Sequence, residues 1–465
     1  MRPFWLHQAL ATESELPAPP LTQDLHTDIC IVGGGYSGLW TAILLRQQAP
    51  SLRVTLIEAD LCGAGASGRN GGCVLGWASK YPTLKRLFGD DEARRLVIES
   101  ERSVTEIGDF CQYHGIDAEF RHDGTLFTAN NSRQQAAIAP LMSSLSEQGI
   151  GSFCALSASE VKRRSGSPCQ TQGWFSPQAA TVQPAKLVRG LRRVALELGV
   201  TLFESTPMLS LEKGRPAQVV TPGGRIFADR VVLATNAWTA RLLPRLRRTI
   251  AIVSSDMVIT EPAPELVSAT GLSDGVSVLD SRTFVYYYRT TPEGRLMLGK
   301  GGNTFAFGAH VHRCFDRPSP YRSALQQSLT RFFPSLADIP LAASWTGPSD
   351  RSVTGLPFFG TLPDHPNIAY GFGYSGNGVG PTRMGAKLLC ALVLEQDNAW
   401  RHSPLAQGPL GNFPPEPVRY MGSLLVRNAI RRKENAEDLE RHPRPWDEWL
   451  ASFAAAASKA DKVTP

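Results

Sequence analysis

The sequence has no apolar run approaching the length of a membrane span, no block of like charge, no low-complexity tract and no internal repeat. An integral membrane segment and a solenoid fold are therefore not expected. Its eight cysteines, Cys30, Cys62, Cys73, Cys111, Cys154, Cys169, Cys314 and Cys390, form no C-x-x-C pair and no Cys/His cluster at metal-ligand spacing. No metal site is assigned, and the thiols read as reduced and mostly buried, the pattern of a cytoplasmic protein. The first twenty residues, MRPFWLHQALATESELPAPP, lack the apolar centre and small-residue cleavage site of a signal peptide. The 48 basic residues exceed the 42 acidic ones, giving +6 at pH 7, but they form no stripe interleaved with stacking aromatics. Nucleic acid is thus not an expected partner. No Ser/His/Asp, Cys/His or paired-carboxylate arrangement stands out either.

What is present is a globular composition, 42% hydrophobic and 19% charged, over 465 residues. That length exceeds one ordinary core and points to two intertwined domains. The strongest local signal begins at Asp28. A short apolar run from Ile29 to Val32 meets glycines, Leu39, Ala42, Ile43 and Leu45 recur at helical spacing, and a β-rich run follows from Val54 to Ile57. Gly33, Gly35 and Gly38 make G-x-G-x-x-G at the turn. The first permits the turn, the second lets backbone approach a pyrophosphate, and the third lets helix pack on strand, with Tyr36 and Ser37 at the helix start. Glu58, followed by Ala59, ends the second strand where a carboxylate binds ribose hydroxyls and disfavours a 2′-phosphate. This fingerprint alone does not separate FAD from NAD.

The loop LCGAGASGRNGGC, residues 61 to 73, suits a flavin better than a nicotinamide. Ser67, Arg69 and Asn70 offer hydroxyl, guanidinium and amide, and Gly71 and Gly72 allow close approach. Far along the chain, NIAYGFGYSGNGVGPTRMGAKLLCALVL repeats the order strand, glycine turn and helix. There Gly376, Asn377, Gly378, Val379 and Gly380 would direct a helix start at the flavin pyrimidine end. With GASGRNGG, these segments resemble the FAD-dependent oxidoreductases of the D-amino-acid oxidase and sarcosine oxidase type, over roughly residues 25 to 412. The branch that includes γ-glutamylputrescine oxidases is the most similar. The resemblance implies a contact of Met208 with adenine and a second approach to the dinucleotide by Thr235 and Asn236, with Trp238 beyond.

The implied fold is α/β, a Rossmann-like FAD-binding domain with a second substrate domain on a mixed, largely antiparallel sheet. The expected division is an N-terminal arm (1–24), a discontinuous FAD-binding domain (25–90, 166–245 and 346–412), a substrate domain (91–165 and 246–345) and a C-terminal helical extension (413–465). Alternation of apolar and polar residues predicts hairpins in 117–130, 249–262, 282–301 and 341–347, with inserted helices over 91–113 and 132–148. Candidate substrate contacts there are Arg282, Tyr286, Tyr288, Lys300 and Trp345. Sarcosine oxidases carry a lysine that assists oxygen where Met297 stands here, and the matching late cysteine is absent from WTGPSDRSVTG. Non-covalent FAD is the expectation, with oxygen or another electron acceptor. FWLHQAL and the tail RYMGSLLVRNAIRRKENAEDLERHPRP are similar to a narrower group, the aminophosphonate oxidoreductases. That resemblance implies a small amine substrate such as 2-aminoethylphosphonate or an N-methylated relative, held by Arg282, Lys300 or Arg351. The tail helix, with Leu424, Leu425, Ala429 and Ile430 against Arg427, Arg431, Arg432 and Lys433, is expected to pack on its own protein, although such a helix also suits a membrane surface.

Overall fold

The computed structural model describes residues 2–455 and 460–461. Its first strand, Leu25–Val32, is flanked by parallel neighbours on both sides, Val54–Ile57 and Gly224–Leu233. A strand in that position must be covered on both faces, which accounts for the unbroken apolar run Ile29–Val32. The sheet extends to Thr201–Phe203 at one end and to His365–Phe372 and Phe358–Leu362 at the other, with Ser210–Glu212 and Ala217–Thr221 folded back on Gly224–Leu233. Helices Tyr36–Gln48, Pro184–Glu197 and Pro381–Val393 pack together over it. Strands distant in sequence thus meet at one edge.

Two glycines of the first turn are fixed by sterics. Gly33 sits at φ 114°, and a Cβ there would lie 2.6 Å from the Ala234 carbonyl oxygen. A Cβ on Gly38 would lie 1.9 Å from the Gly33 carbonyl oxygen, so only glycine lets the helix seat against the strand.

The second sheet has eight strands in the order Leu341–Ser352, Ile250–Thr260, Leu296–Phe305, Tyr286–Thr290, Ser277–Asp280, Thr125–Ala129, Gln172–Ser176 and Cys154–Ala155. Every neighbouring pair is antiparallel except Ser277–Asp280 with Thr125–Ala129. The mixed, largely antiparallel sheet expected from the alternating segments is therefore present. One segment pairs differently from expectation. Residues 117–130 make no hairpin of their own; Thr125–Ala129 pairs with Gln172–Ser176 and Ser277–Asp280, while Arg121 makes an isolated bridge to Thr181. Gln172–Ser176 lies in this second sheet, and Leu341–Ser352 runs on through residue 346 without a break.

Helices Asp90–Tyr113 and Ser132–Glu147 match the helices expected over 91–113 and 132–148 to within one residue. In the C-terminal extension, helix Val418–Asp438 buries Ala429 and Ile430, and helix Pro445–Ser452 packs beside it through Arg432 and Asp447 at 2.6 Å. Of the eight cysteines, Cys154 and Cys314 are exposed, Cys169 is half-buried and the other five are buried, all as free thiols.

Candidate active site

Between the two sheets lies a cavity of about 650 Å³, within the range of cofactor and ligand sites. The first strand and turn contribute Val32, Gly33, Gly35, Tyr36 and Ser37, and the end of the second strand contributes Ile57, Glu58 and Ala59. Glu58 is directed inward by local bonds. Its carboxylate accepts the Gly34 N–H at 2.7 Å and the Asp60 N–H at 3.1 Å. Burial raises its pKa, and those two donors offset the rise only in part.

The 61–73 loop closes over the turn. Ser67 accepts the Tyr36 N–H at 2.9 Å, Tyr36 donates its hydroxyl to the Pro184 carbonyl at 2.7 Å, and Ser37 bonds Tyr374 at 3.0 Å. Asn70 works mainly within the loop, donating to the Ser67 carbonyl at 2.9 Å and accepting from Gly72 at 2.8 Å. Arg69 reaches the carbonyls of Ala64 and Phe315 and pairs with Asp316 at 2.7 Å. Ser67, Arg69, Asn70 and Gly71 all line the cavity. Met208, Thr235, Asn236 and Trp238 form a further stretch of wall, and Gly376, Gly378 and Val379 another.

Four of the glycine-rich positions stand behind the wall. Gly38 packs helix on strand, and Gly72, at φ 77°, leaves no room for a Cβ beside the Val182 carbonyl. Asn377 donates to the Gly76 carbonyl, while Gly380 abuts the Leu75 carbonyl at the start of its helix. Neither N-cap residue, Gly35 of helix Tyr36–Gln48 nor Gly380 of helix Pro381–Val393, supplies a capping side chain, and Ser67 takes only the Tyr36 N–H. The turns that precede the two helices face the cavity. The remaining N–H groups of the first turn and the positive dipole end suit a pyrophosphate at the first helix and the pyrimidine carbonyls of a flavin at the second. The shape and donor set of this chain thus fit FAD.

The roof supplies Ser255, Met257, Val285, Tyr287 and Gly301. Here the substrate contacts expected from the strands need correction. On Tyr286–Thr290 the odd-numbered parity faces the cavity, so Tyr287 enters it while Tyr286 and Tyr288 turn away. Tyr288 donates to the Ser165 carbonyl at 2.9 Å and packs on Phe333; Tyr286 bonds Ser328 at 3.0 Å. Lys300 lies over the Tyr286 ring, 3.7 Å from its centre, and donates to the Phe284 carbonyl. Arg282 is buried between Asp280 and Asp438. Trp345 stacks with Phe4 and donates to the Arg69 carbonyl at 2.8 Å, supporting the loop from behind. The run YYY hides its parity because all three residues are amphipathic, whereas two glycines mark the pocketed ring. A Cβ on Gly71 or Gly299 would collide with Tyr287.

Tyr287 shares a hydrogen bond with Ser255 at 2.8 Å, and burial raises its phenol pKa. Close to it, Asp350 and Arg351 line the wall with Gly347, Pro348 and Ser349. Burial pushes Asp350 up to about 6 despite backbone donors led by Gly373. Burial lowers Arg351 to about 10, leaving it cationic at neutral pH. Its guanidinium lies 3.5 Å from the sites of a Cβ on both Gly301 and Gly376, spanning roof and glycine turn. Arg289, not singled out by the sequence, is buried beneath the loop and donates to the Gly71 and Val182 carbonyls, each at 2.7 Å. Among the described residues no group of His, Cys, Asp and Glu could hold a metal ion.

Known proteins agree with this architecture. The chain is 30% identical over 395 residues to a probable oxidoreductase OrdL of Rhizobium meliloti, covering 83% of this chain and 87% of that one. It is 27% identical over 410 residues to gamma-glutamylputrescine oxidoreductase of Escherichia coli, covering 88% and 92%. Glycine oxidase from Geobacillus kaustophilus shares the fold, with a TM-score of 0.70 at 21% identity over 83% of this chain and 99% of that one. A glycine turn backed by Glu58, a loop laid over it and a second glycine turn from the far end of the chain therefore have one shared origin: the chain belongs to the DAO family of FAD dependent oxidoreductases, whose model matches residues 28–392.

Proposed function

We propose that the chain oxidises a small amine with an anionic tail, foremost an aminophosphonate such as 2-aminoethylphosphonate or its N-methyl derivative. The carbon next to nitrogen loses a hydride, and the resulting imine hydrolyses in water to an aldehyde and ammonia or methylamine. Bound FAD supplies the hydride acceptor, and oxygen or another acceptor then takes the electrons. With no cysteine between Trp345 and Gly355, we take the cofactor to be held without a covalent link.

The observation that carries this reading is Arg351, a guanidinium in the cavity wall next to Asp350 and beneath the neutral side chains Ser255, Met257, Val285 and Tyr287 of the roof. A planar cation there pairs with a phosphonate or carboxylate through two parallel bonds. Tyr287 and Ser255 offer neutral hydroxyls beside it. Met257 and Val285 exclude water from the reacting carbon and favour the neutral form of the amine, the form that can release hydride. The chain's part is therefore positioning and desolvation.

An anaerobic screen tests the proposal, following loss of flavin absorbance with 2-aminoethylphosphonate, its N-methyl derivative, γ-glutamylputrescine, glycine and a neutral amine. The aminophosphonates should bleach the flavin at the lowest concentrations. In Arg351→Met their KM should rise about 10- to 100-fold, the loss of one charged hydrogen-bonded contact, with little change in kcat. Equal bleaching by the neutral amine would sink the anion requirement. The resemblance to gamma-glutamylputrescine oxidoreductase favours a second reading, a longer amine ending in a carboxylate, which the same screen separates.

A further inference from the structure

The outer surface of the C-terminal extension carries a feature that amine oxidation does not use. Trp446 and Trp449 on helix Pro445–Ser452 and Phe453 at its C-cap follow at i, i+3 and i+7 and are 63%, 52% and 67% exposed. Their rings touch in sequence, Trp446 to Trp449 at 4.8 Å and Trp449 to Phe453 at 5.0 Å between centres. On the adjoining helix Val418–Asp438, Val418, Met421 and Leu425 form an exposed stripe of the same spacing. Both helices satisfy their inner faces, with Ile430 and Ala451 packed on Phe284. The exposed stripes are thus additional to what folding requires, and large aromatics on a surface mark a site of contact.

Charge indicates the partner. The carboxylates of these helices are mostly drawn inward: Glu434 accepts the N–H groups of Thr283 and Phe284, Glu437 is paired with Lys433, and Asp447 with Arg432. Asp438 is held by Arg282 and Arg331. Arg441 and Arg444 are exposed and form no ion pair among the described residues, while Arg427 and Arg431 bond Asn428 and Asn303 rather than acids. Only Glu440 and Glu448 oppose them from exposed positions in 431–455. Tryptophan and phenylalanine beside unpaired arginines are the composition of a segment lying in a headgroup layer. No helix among the described residues is long and apolar enough to cross a membrane, so contact would be at the surface.

We propose that the exposed Trp446, Trp449 and Phe453, together with Arg441 and Arg444 just before them in the chain, dock the enzyme on an anionic bilayer surface. This is independent of which amine is oxidised. The test is sedimentation of the full-length, FAD-loaded protein with vesicles of phosphatidylcholine alone and of phosphatidylcholine with phosphatidylglycerol. Binding should appear with the anionic vesicles and fall with salt. Arg444→Glu should weaken it at least about fivefold, the effect of one surface cation at about 1 kcal/mol. Trp446→Ser with Trp449→Ser should weaken it further, with flavin content and unfolding midpoint unchanged. No binding to anionic vesicles, or equal binding by these variants, would overturn the proposal. So would a concentration-dependent dimer abolished by the same tryptophan changes, which would make a second copy of the chain the occupant. Should the tryptophan pair fail to fold, Phe453→Ser and Arg441→Glu test the same face singly.

Discussion

At the scale of single residues, Asp350 and Arg351 set the charge of the cavity together. Asp350 has an ordinary value of 3.8 and a folded value of about 6, because burial favours its neutral form. Below about pH 6 it is neutral; above that, its carboxylate beside Arg351 competes with any bound anion. Sulfate, which keeps its charge throughout, should therefore bind several-fold more weakly at pH 7 than at pH 5. In Asp350→Asn that difference should vanish, as followed by flavin absorbance during titration. The same group affects folding with a definite sign. The folded state holds more protons than the unfolded chain between 3.8 and about 6, so its contribution to stability falls as pH rises through that window. Denaturation curves of Asp350→Asn should lose that slope.

Residue roles were legible where chemistry restricts the choice to one or two amino acids. Gly33, Gly38 and Glu58 announce themselves because a turn at positive φ, a helix seated on a strand and a ribose partner admit few substitutes. Tyr287 was not legible, since strand parity cannot be read from Tyr286-Tyr287-Tyr288 when each ring can face either water or a core. Lys300 and Arg282 look like substrate cations in sequence, yet Glu434, Asp280 and Asp438, remote from them in part, engage them.

Elements were read more easily than their partners. Helices Asp90–Tyr113 and Ser132–Glu147 fall within one residue of the expected 91–113 and 132–148, since a helix is specified by residues close together in the chain. Strand pairing is not local, and so Thr125–Ala129 between Ser277–Asp280 and Gln172–Ser176 had no sequence signal. The helix of the first turn offers a direct check on its seating. Gly38→Ala drives a methyl into the Gly33 carbonyl, 1.9 Å away, and backbone on both sides has little room to yield. The expected outcome is a loss of about 1–3 kcal/mol in urea unfolding together with weakened FAD retention. A variant that unfolds like the parent would refute close packing of this helix on its strand.

For the molecule as a whole, the N-terminal segment is tied into the cofactor half by a buried charge network. Arg189 pairs with Glu13 and Glu204, and Arg192 with Glu15 and Glu204, while Glu204 also accepts the N–H groups of Ala18 and Cys62. Burial pushes Glu204 up, but the Cys62 N–H and the Arg189 guanidinium outweigh it, so its pKa lies below the usual 4.5. Its contribution to stability is accordingly complete above about 4.5 and is lost as pH falls through the lower folded value. Glu204→Ala leaves two buried guanidinium groups under-compensated and should cost about 3–5 kcal/mol. Chemical denaturation at pH 7 measures this directly; a change under about 1 kcal/mol would mean the network adds nothing.

The parallel sheet is completed only when His365–Phe372 pairs with Gly224–Leu233, and the second glycine turn comes later still. A chain emerging from the ribosome therefore cannot close its nucleotide cradle until Gly380 has left the exit tunnel, long after the first glycine turn has been made. Prematurely terminated products should be recognisable by eye, since they lack the yellow colour that marks completed synthesis.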